Sequence, residues 1–212
     1  MSAKNADKPD YQFNFKFNLH KSLLPIGIDD HDLSRLSVVY GVDSAWLRNE
    51  TALIRRANAR CAAHLETQFN LSALSGKQAK IIFLGDSITS DRQSYLNILK
   101  QALSGTPDLK LIDLAISAQK SVDLFTGVYP DIIAQRADIA HIMIGTNDVR
   151  RIDDERRLYH TSPAEYEKNM DFVIGALIRN GSSVILTTIP PFSREKAAQH
   201  FAGGYVLYLD ED

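Results

Sequence analysis

Thiols are almost absent from this sequence: Cys61 is its single cysteine. That excludes an intrachain disulfide and any cysteine-based metal motif. Long apolar runs are missing too, since no stretch approaches the ~18 residues a bilayer-spanning helix needs. The opening residues Met1-Ser2-Ala3-Lys4-Asn5-Ala6-Asp7 are polar and contain no apolar core of the secretory-signal kind. A cytoplasmic location is the resulting expectation. Charge of one sign is also lacking. Lys and Arg number 24 against 26 Asp and Glu, a net charge of −2, which argues against nucleic acid or an anionic membrane as partner. The local basic run Arg150-Arg151 is answered by Asp153-Asp154-Glu155 and then Arg156-Arg157, a mixture that reads as a solvated loop. Internal repeats and low-complexity linkers are absent.

What is present is enough apolar material for one core: 44% of 212 residues are hydrophobic. Short apolar runs alternate with helical patterns. Ile81-Ile82-Phe83-Leu84 reads as a strand buried on both faces, Leu109–Leu114, Ala140–Ile144 and Val184–Ile189 as further strands, and Tyr205–Leu209 as a fifth. Ser90-Asp91-Arg92-Gln93 has capping-box form ahead of Tyr95, Leu99 and Ala102. Ser162-Pro163-Ala164-Glu165 begins a second helix, with Tyr166, Met170, Val173 and Leu177 on one face and Asn180-Gly181 as its stop. Alternating strands and helices predict an α/β fold with a parallel sheet and right-handed crossovers.

Residues 1–78 read as an N-terminal extension, and 79–212 as the main domain. Tyr11, Phe13, Phe15, Phe17 and Leu19 alternate with polar residues, the pattern of a strand with an aromatic face. Packing on the protein's own body is the expectation, because exposed apolar strands invite aggregation. Residues 43–68 read as a helix with Trp46, Leu53, Ala57, Cys61 and Leu65 roughly on one side, which makes Cys61 a small core residue.

The chemistry gathers where strands end. Ile81–Leu84 runs into Gly85-Asp86-Ser87, and Ala140–Ile144 into Gly145-Thr146-Asn147-Asp148. Leu109–Leu114 leads into Ala115-Ile116-Ser117-Ala118. Loops after parallel strands lie at the carboxyl edge of the sheet, where α/β proteins place ligands. Gly85 suits a sharp reversal at φ > 0. Taken alone, Gly, Asp and Ser are ordinary turn residues; three strands emptying polar residues onto one rim are not.

These blocks resemble the SGNH, or GDSL-type, serine hydrolases: esterases, lipases, thioesterases and carbohydrate acetylesterases. Gly85-Asp86-Ser87 matches their first block and Gly145-Thr146-Asn147-Asp148 their third. In their second block, Ala118 stands where the family has a glycine. The resemblance covers roughly residues 79–210. It implies a flavodoxin-like, doubly wound, three-layer α/β/α fold with strand order 2-1-3-4-5. It also implies a nucleophile at Ser87, and an oxyanion hole from the Ser87 and Ala118 main-chain N–H groups and the Asn147 amide. Asp86 becomes a loop-stabilising residue. The implied substrate is a small-molecule ester or acylated carbohydrate, with no metal or organic cofactor, no nucleic acid and no membrane.

Acyl transfer also needs a base. Family members carry Asp-x-x-His near the carboxyl terminus, and this chain ends at Tyr208-Leu209-Asp210-Glu211-Asp212. Its one Asp-x-x-His, Asp138-Ile139-Ala140-His141, opens the strand leading to Asn147. At about 3.3 Å per residue, His141 stands roughly 20 Å from Asn147, and residues i and i+3 of a strand face opposite sides. His200, after the fourth strand, is the substitute base to consider, with His160 a weaker one. Three readings stay open: an ester hydrolase, a catalytically silent protein using the same pocket for a carbohydrate or acylated ligand, and an inactive fragment of a longer esterase.

Overall fold

The computed structural model describes residues 31–126, 129–152 and 159–191, together with Ser193, Glu195 and 206–208. The expected aromatic strand at 11–19 and His200 lie outside the described residues.

Two helices come first. The Asp32 carboxylate accepts the Arg35 N–H at 3.0 Å and starts α1 (Leu33–Tyr40), which Gly41 ends in the left-handed region at φ 62°. The Asp43 carboxylate accepts the Trp46 N–H at 2.8 Å and starts α2 (Ser44–Gln68). The buried face of α2 centres on Leu47, Thr51, Ile54, Asn58 and Ala62, spaced four, three, four and four residues apart, and also takes in Leu53 and Ala57, as the sequence predicts. Cys61 lies off this stripe and is exposed, which corrects its expected place in the core. Trp46 is 38% exposed for the same reason.

Four strands form one parallel sheet in the order β2-β1-β3-β5: β1 (Ala79–Gly85), β2 (Leu109–Asp113), β3 (Ile139–Met143) and β5 (Ser183–Leu186). Ile82 of β1 registers with Ile112 of β2 and with Ala140 of β3, and Ala140 with Val184 of β5. The fold is therefore the α/β parallel sheet that the alternating pattern predicts. The expected fifth strand takes another partner. Val206–Tyr208 (β6) pairs antiparallel with Arg150–Ile152 (β4) as a separate two-stranded sheet. Beyond β5 the described sheet carries no further strand, and Ile185 and Leu186 are exposed.

Alternation along the strands sends side chains to two layers. Ile82, Leu84, Ala140, Ile142 and Ile144 join Leu124 of α5 (Asp123–Thr126), Ile132 of α6 (Tyr129–Ala134), and Met170, Val173 and Leu177 of α7 (Pro163–Arg179) in the main core. Each of these Ile, Leu, Val and Met side chains contributes about 1.5–3 kcal/mol by leaving water. The opposite face meets Tyr95 of α4 (Tyr95–Ala102), whose ring lies against Phe83 and His141. Helix α2 packs on α4, so α2 adds a layer outside the sheet.

Caps explain the helix starts. Ser162 accepts the Glu165 N–H, with Pro163 in the first turn of α7, as the sequence predicts. The expected capping box at Ser90 is not the start of α4. Ser94 caps that helix through the Asn97 N–H, and Ser90 instead closes the single turn α3 (Ser87–Ser90).

Candidate active site

Ser87 stands where β1 stops. Asp86 caps the turn, its carboxylate accepting the Ile88 N–H at 2.9 Å. Ser87 is the first residue of that turn, so its own N–H has no intrahelical acceptor. Gly85 keeps φ outside the left-handed region, contrary to the reading from sequence. Its need is space: an added Cβ would stand 2.5 Å from the Met143 carbonyl oxygen and 2.6 Å from Thr89 Oγ1. Burial pushes the Asp86 carboxyl above the usual range, while the Ile88 N–H, the Thr146 hydroxyl and Arg150 pull it back.

The second loop is fastened to the first. The Leu114 N–H donates to the Phe83 carbonyl at 3.0 Å and the Ile116 N–H to the Gly85 carbonyl at 3.1 Å. The Gln119 N–H then closes a turn onto Ile116 at 3.2 Å. Within that turn Ala118 sits at φ 65°, and it is exposed. A left-handed residue at the third turn position is ordinarily glycine. Alanine here keeps both the conformation and the main-chain N–H.

The third loop locks onto the second. The buried Asn147 donates through Nδ2 to the Gln119 carbonyl at 3.0 Å. Next to it, buried Asp148 accepts the Ser121 N–H at 3.0 Å and the Ser121 hydroxyl at 2.6 Å. Asn169 of α7 donates to the same Ser121 Oγ at 3.0 Å. Gly145 turns the chain at φ 132°. The structure thus joins the loops carrying Ser87, Ala118 and Asn147 along one sheet edge. Ser121 and Asn169 escaped the sequence reading, because a lone serine or asparagine carries no motif.

The histidines divide. His141 is half-buried on the sheet, with Nδ1 3.2 Å from the Tyr95 hydroxyl and Nε2 2.8 Å from the Thr187 hydroxyl. Burial lowers its pKa and raises that of Tyr95. Asp138 is committed elsewhere, its carboxylate accepting the Lys80 N–H at 2.7 Å, so the Asp138–His141 match is coincidental, as expected. His160 is exposed beside the rim, its N–H bonded to the Arg150 carbonyl at 2.8 Å. Partial burial and the nearby Lys120 and Arg150 lower its pKa, against an opposing pull from Asp148.

An open, mainly apolar cavity of about 410 Å³ adjoins the third loop, with Gly145, Val149, Tyr166, Leu186 and Ile189 in its walls. Tyr166 is fixed there by donating its hydroxyl to the Ile144 carbonyl at 3.0 Å. Among the described residues, no three His, Cys, Asp or Glu side chains are grouped to hold a metal ion. No described helix is long and apolar enough to cross a membrane.

Residues 83–210 match the GDSL-like Lipase/Acylhydrolase family. The chain belongs to that family. The GDSL-like match begins within β1 and takes in all three loops, leaving α1 and α2 outside it. Among solved structures, an acetyl xylan esterase is 27% identical with a TM-score of 0.45, over 50% of this chain and 56% of its own. A catalytic variant of an acetylxylan esterase from Geobacillus stearothermophilus is also 27% identical, with a TM-score of 0.43, over 54% of this chain and 60% of its own. The GDSL-like chain thus spans between half and two thirds of the length of those two esterases. No curated protein matches it.

Proposed function

We propose that this chain is a serine ester hydrolase of the SGNH type, acting on a small acyl ester, with an acylated carbohydrate as the substrate class. The observation that carries the reading is the Asn147–Gln119 hydrogen bond at 3.0 Å. It fixes the Asn147 side chain at the end of the loop that holds Ala118 in its left-handed turn. Asn147 Nδ2 has two hydrogens, and one remains for an oxyanion.

In this mechanism Ser87 Oγ attacks the ester carbonyl carbon and gives its proton to a base. Negative charge collects on the carbonyl oxygen, where the Ser87 N–H, the Ala118 N–H and the Asn147 amide donate to it. The tetrahedral species collapses as the bond to the alcohol oxygen breaks, and the alcohol departs with the proton. Water then attacks the acyl carbon and gives a proton to the same base, the bond to Ser87 Oγ breaks as the acid leaves, and the proton returns to Ser87 Oγ. No metal or organic cofactor takes part. Asp86 holds the turn through the Ile88 N–H and takes no proton.

The test is hydrolysis of p-nitrophenyl acetate by the 212-residue chain and by Ser87→Ala. Turnover that disappears in the variant supports Ser87 as nucleophile; equal rates in both refute the reading for this ester. His200→Ala and His160→Ala in the same assay identify the base, as the variant whose rate falls to that of Ser87→Ala. A chain-length series tests the small-acyl preference, which a higher rate on long-chain esters would overturn.

A further inference from the structure

A second cavity lies where the extension meets the turn after Ser87. Its volume is about 590 Å³, within the ~300–1,000 Å³ typical of small-ligand sites. Helix α2 supplies Arg55 and Asn58 to its walls, and the segment following Ser87 supplies Ser90, Arg92, Asn97 and Lys100. Ser90 is one helical turn on from Ser87, so the cavity borders the element that carries the proposed nucleophile. Helix α2 lies outside the family match at 83–210, while the wall from Ser90 to Asp113 lies within it.

We propose that this cavity binds a carboxylated sugar. Arg55, Arg92 and Lys100 line the cavity together with one carboxylate, Asp113, in a chain whose net charge is −2. Positive charge is thus concentrated here against the overall balance, and guanidinium groups suit a carboxylate held by two parallel hydrogen bonds. Asp113, whose carboxylate already accepts the Ala115 N–H at 3.0 Å, favours a singly over a doubly charged ligand.

An anion alone does not meet the other requirement. Asn58 is 5% exposed and donates Nδ2 to the Arg92 carbonyl at 2.8 Å, while its Oδ1 has no hydrogen-bond partner among the described residues. Ser90, 2% exposed, has an Oγ in the same state. Asn58 Oδ1 only accepts, so its partner must carry a donor, which a carboxylate lacks and a sugar hydroxyl has. Both oxygens are covered, and side-chain adjustment of the kind common at binding interfaces brings them to the ligand. Ile54 is the one aliphatic side chain among the described residues lining the cavity, which disfavours an apolar guest.

The test is isothermal titration of the 212-residue chain with glucuronate, glucose, acetate and glucose 6-phosphate at constant ionic strength. Glucuronate is expected to bind one to one, at least about tenfold tighter than glucose or acetate, because only it engages both the cations and the acceptors. Ser87→Ala should bind it equally, so a failure of hydrolysis leaves this result readable. Arg55→Ala and Lys100→Ala, at exposed and half-buried positions that leave the circular dichroism spectrum unchanged, should each weaken it several-fold. Glucuronate binding no tighter than acetate, or undiminished in the double variant, overturns the proposal. Tighter binding of glucose 6-phosphate overturns the carboxylate assignment.

Discussion

Asp148 grips Ser121 twice, accepting its main-chain N–H at 3.0 Å and its hydroxyl at 2.6 Å. The two residues are 27 positions apart, and both are buried. This latch sets the position of the loop carrying Asn147 against the loop carrying Ala118. It works through packing and hydrogen bonding, one residue beyond the amide that the proposed chemistry uses.

Asp148→Ala leaves the Ser121 N–H buried without its acceptor. Hydrogen bonds to a charged group contribute roughly 1.5–3 kcal/mol each, so a loss of about 3 kcal/mol in urea unfolding is expected. A midpoint unchanged from the parent protein would show that the latch carries no stability.

Asn147→Ala removes the proposed oxyanion donor. Loss of one such donor lowers turnover by about 100- to 1000-fold, and p-nitrophenyl acetate kinetics should show the fall in kcat with KM little changed. A tenfold or smaller effect would exclude Asn147 from the transition state.

Ala118→Gly relieves a left-handed alanine. The conformation costs an L-residue roughly 1–2 kcal/mol, and the freedom glycine adds to the unfolded chain offsets about 0.5–1 kcal/mol of that. A gain of about 0–1.5 kcal/mol is expected, whereas Ala118→Val should be less stable than the parent. If valine is tolerated as well as glycine, the φ of 65° does not constrain this position.

Gly85→Ala puts a Cβ 2.5 Å from the Met143 carbonyl oxygen, on a neighbouring strand that cannot turn aside. Overpacking costs typically about 1–3 kcal/mol. The thermal midpoint should drop, and Gly105→Ala, where an added Cβ meets nothing within 4 Å, should serve as the neutral control.

His141 titrates below its ordinary value because burial disfavours the imidazolium. Between that lowered value and the unfolded value near 6.5, the unfolded chain binds more protons, so stability rises with pH across the window. The contribution is full above about pH 6.5 and is lost as pH falls through the folded value. Urea midpoints from pH 7.5 down to 5 should fall more steeply for the parent than for His141→Gln. Parallel slopes would show that His141 is not the group responsible.

Much of this was legible in the order of residues. The four parallel strands, the Ser162 cap and the helix from Ser44 follow from short-range rules. Apolar runs and a serine before Pro163 act through neighbours within one or two turns. Gly85-Asp86-Ser87 and Gly145-Thr146-Asn147-Asp148 mark strand ends for the same reason. Leu53 and Ala57 of the expected stripe are buried, whereas Cys61 and Trp46 fall outside the core, because one residue on a helix turns by about 100° and only the packing of α2 on α4 sets where the buried face is centred. The start of α4 was misplaced because Ser90 and Ser94 compete as caps four residues apart, and local pattern does not choose between them.

What the sequence by itself determined is the alternation of strands and helices and the identity of the polar residues at the strand ends, since both depend on local backbone and side-chain chemistry. The tertiary structure alone decided that Gly85 is glycine for space, that Ala118 takes a left-handed turn, that Asp148 holds Ser121, and that α2 closes a charged cavity over the turn after Ser87. Each of these depends on atoms brought together from distant positions, and the free energy of such contacts exists only once the chain has folded around them.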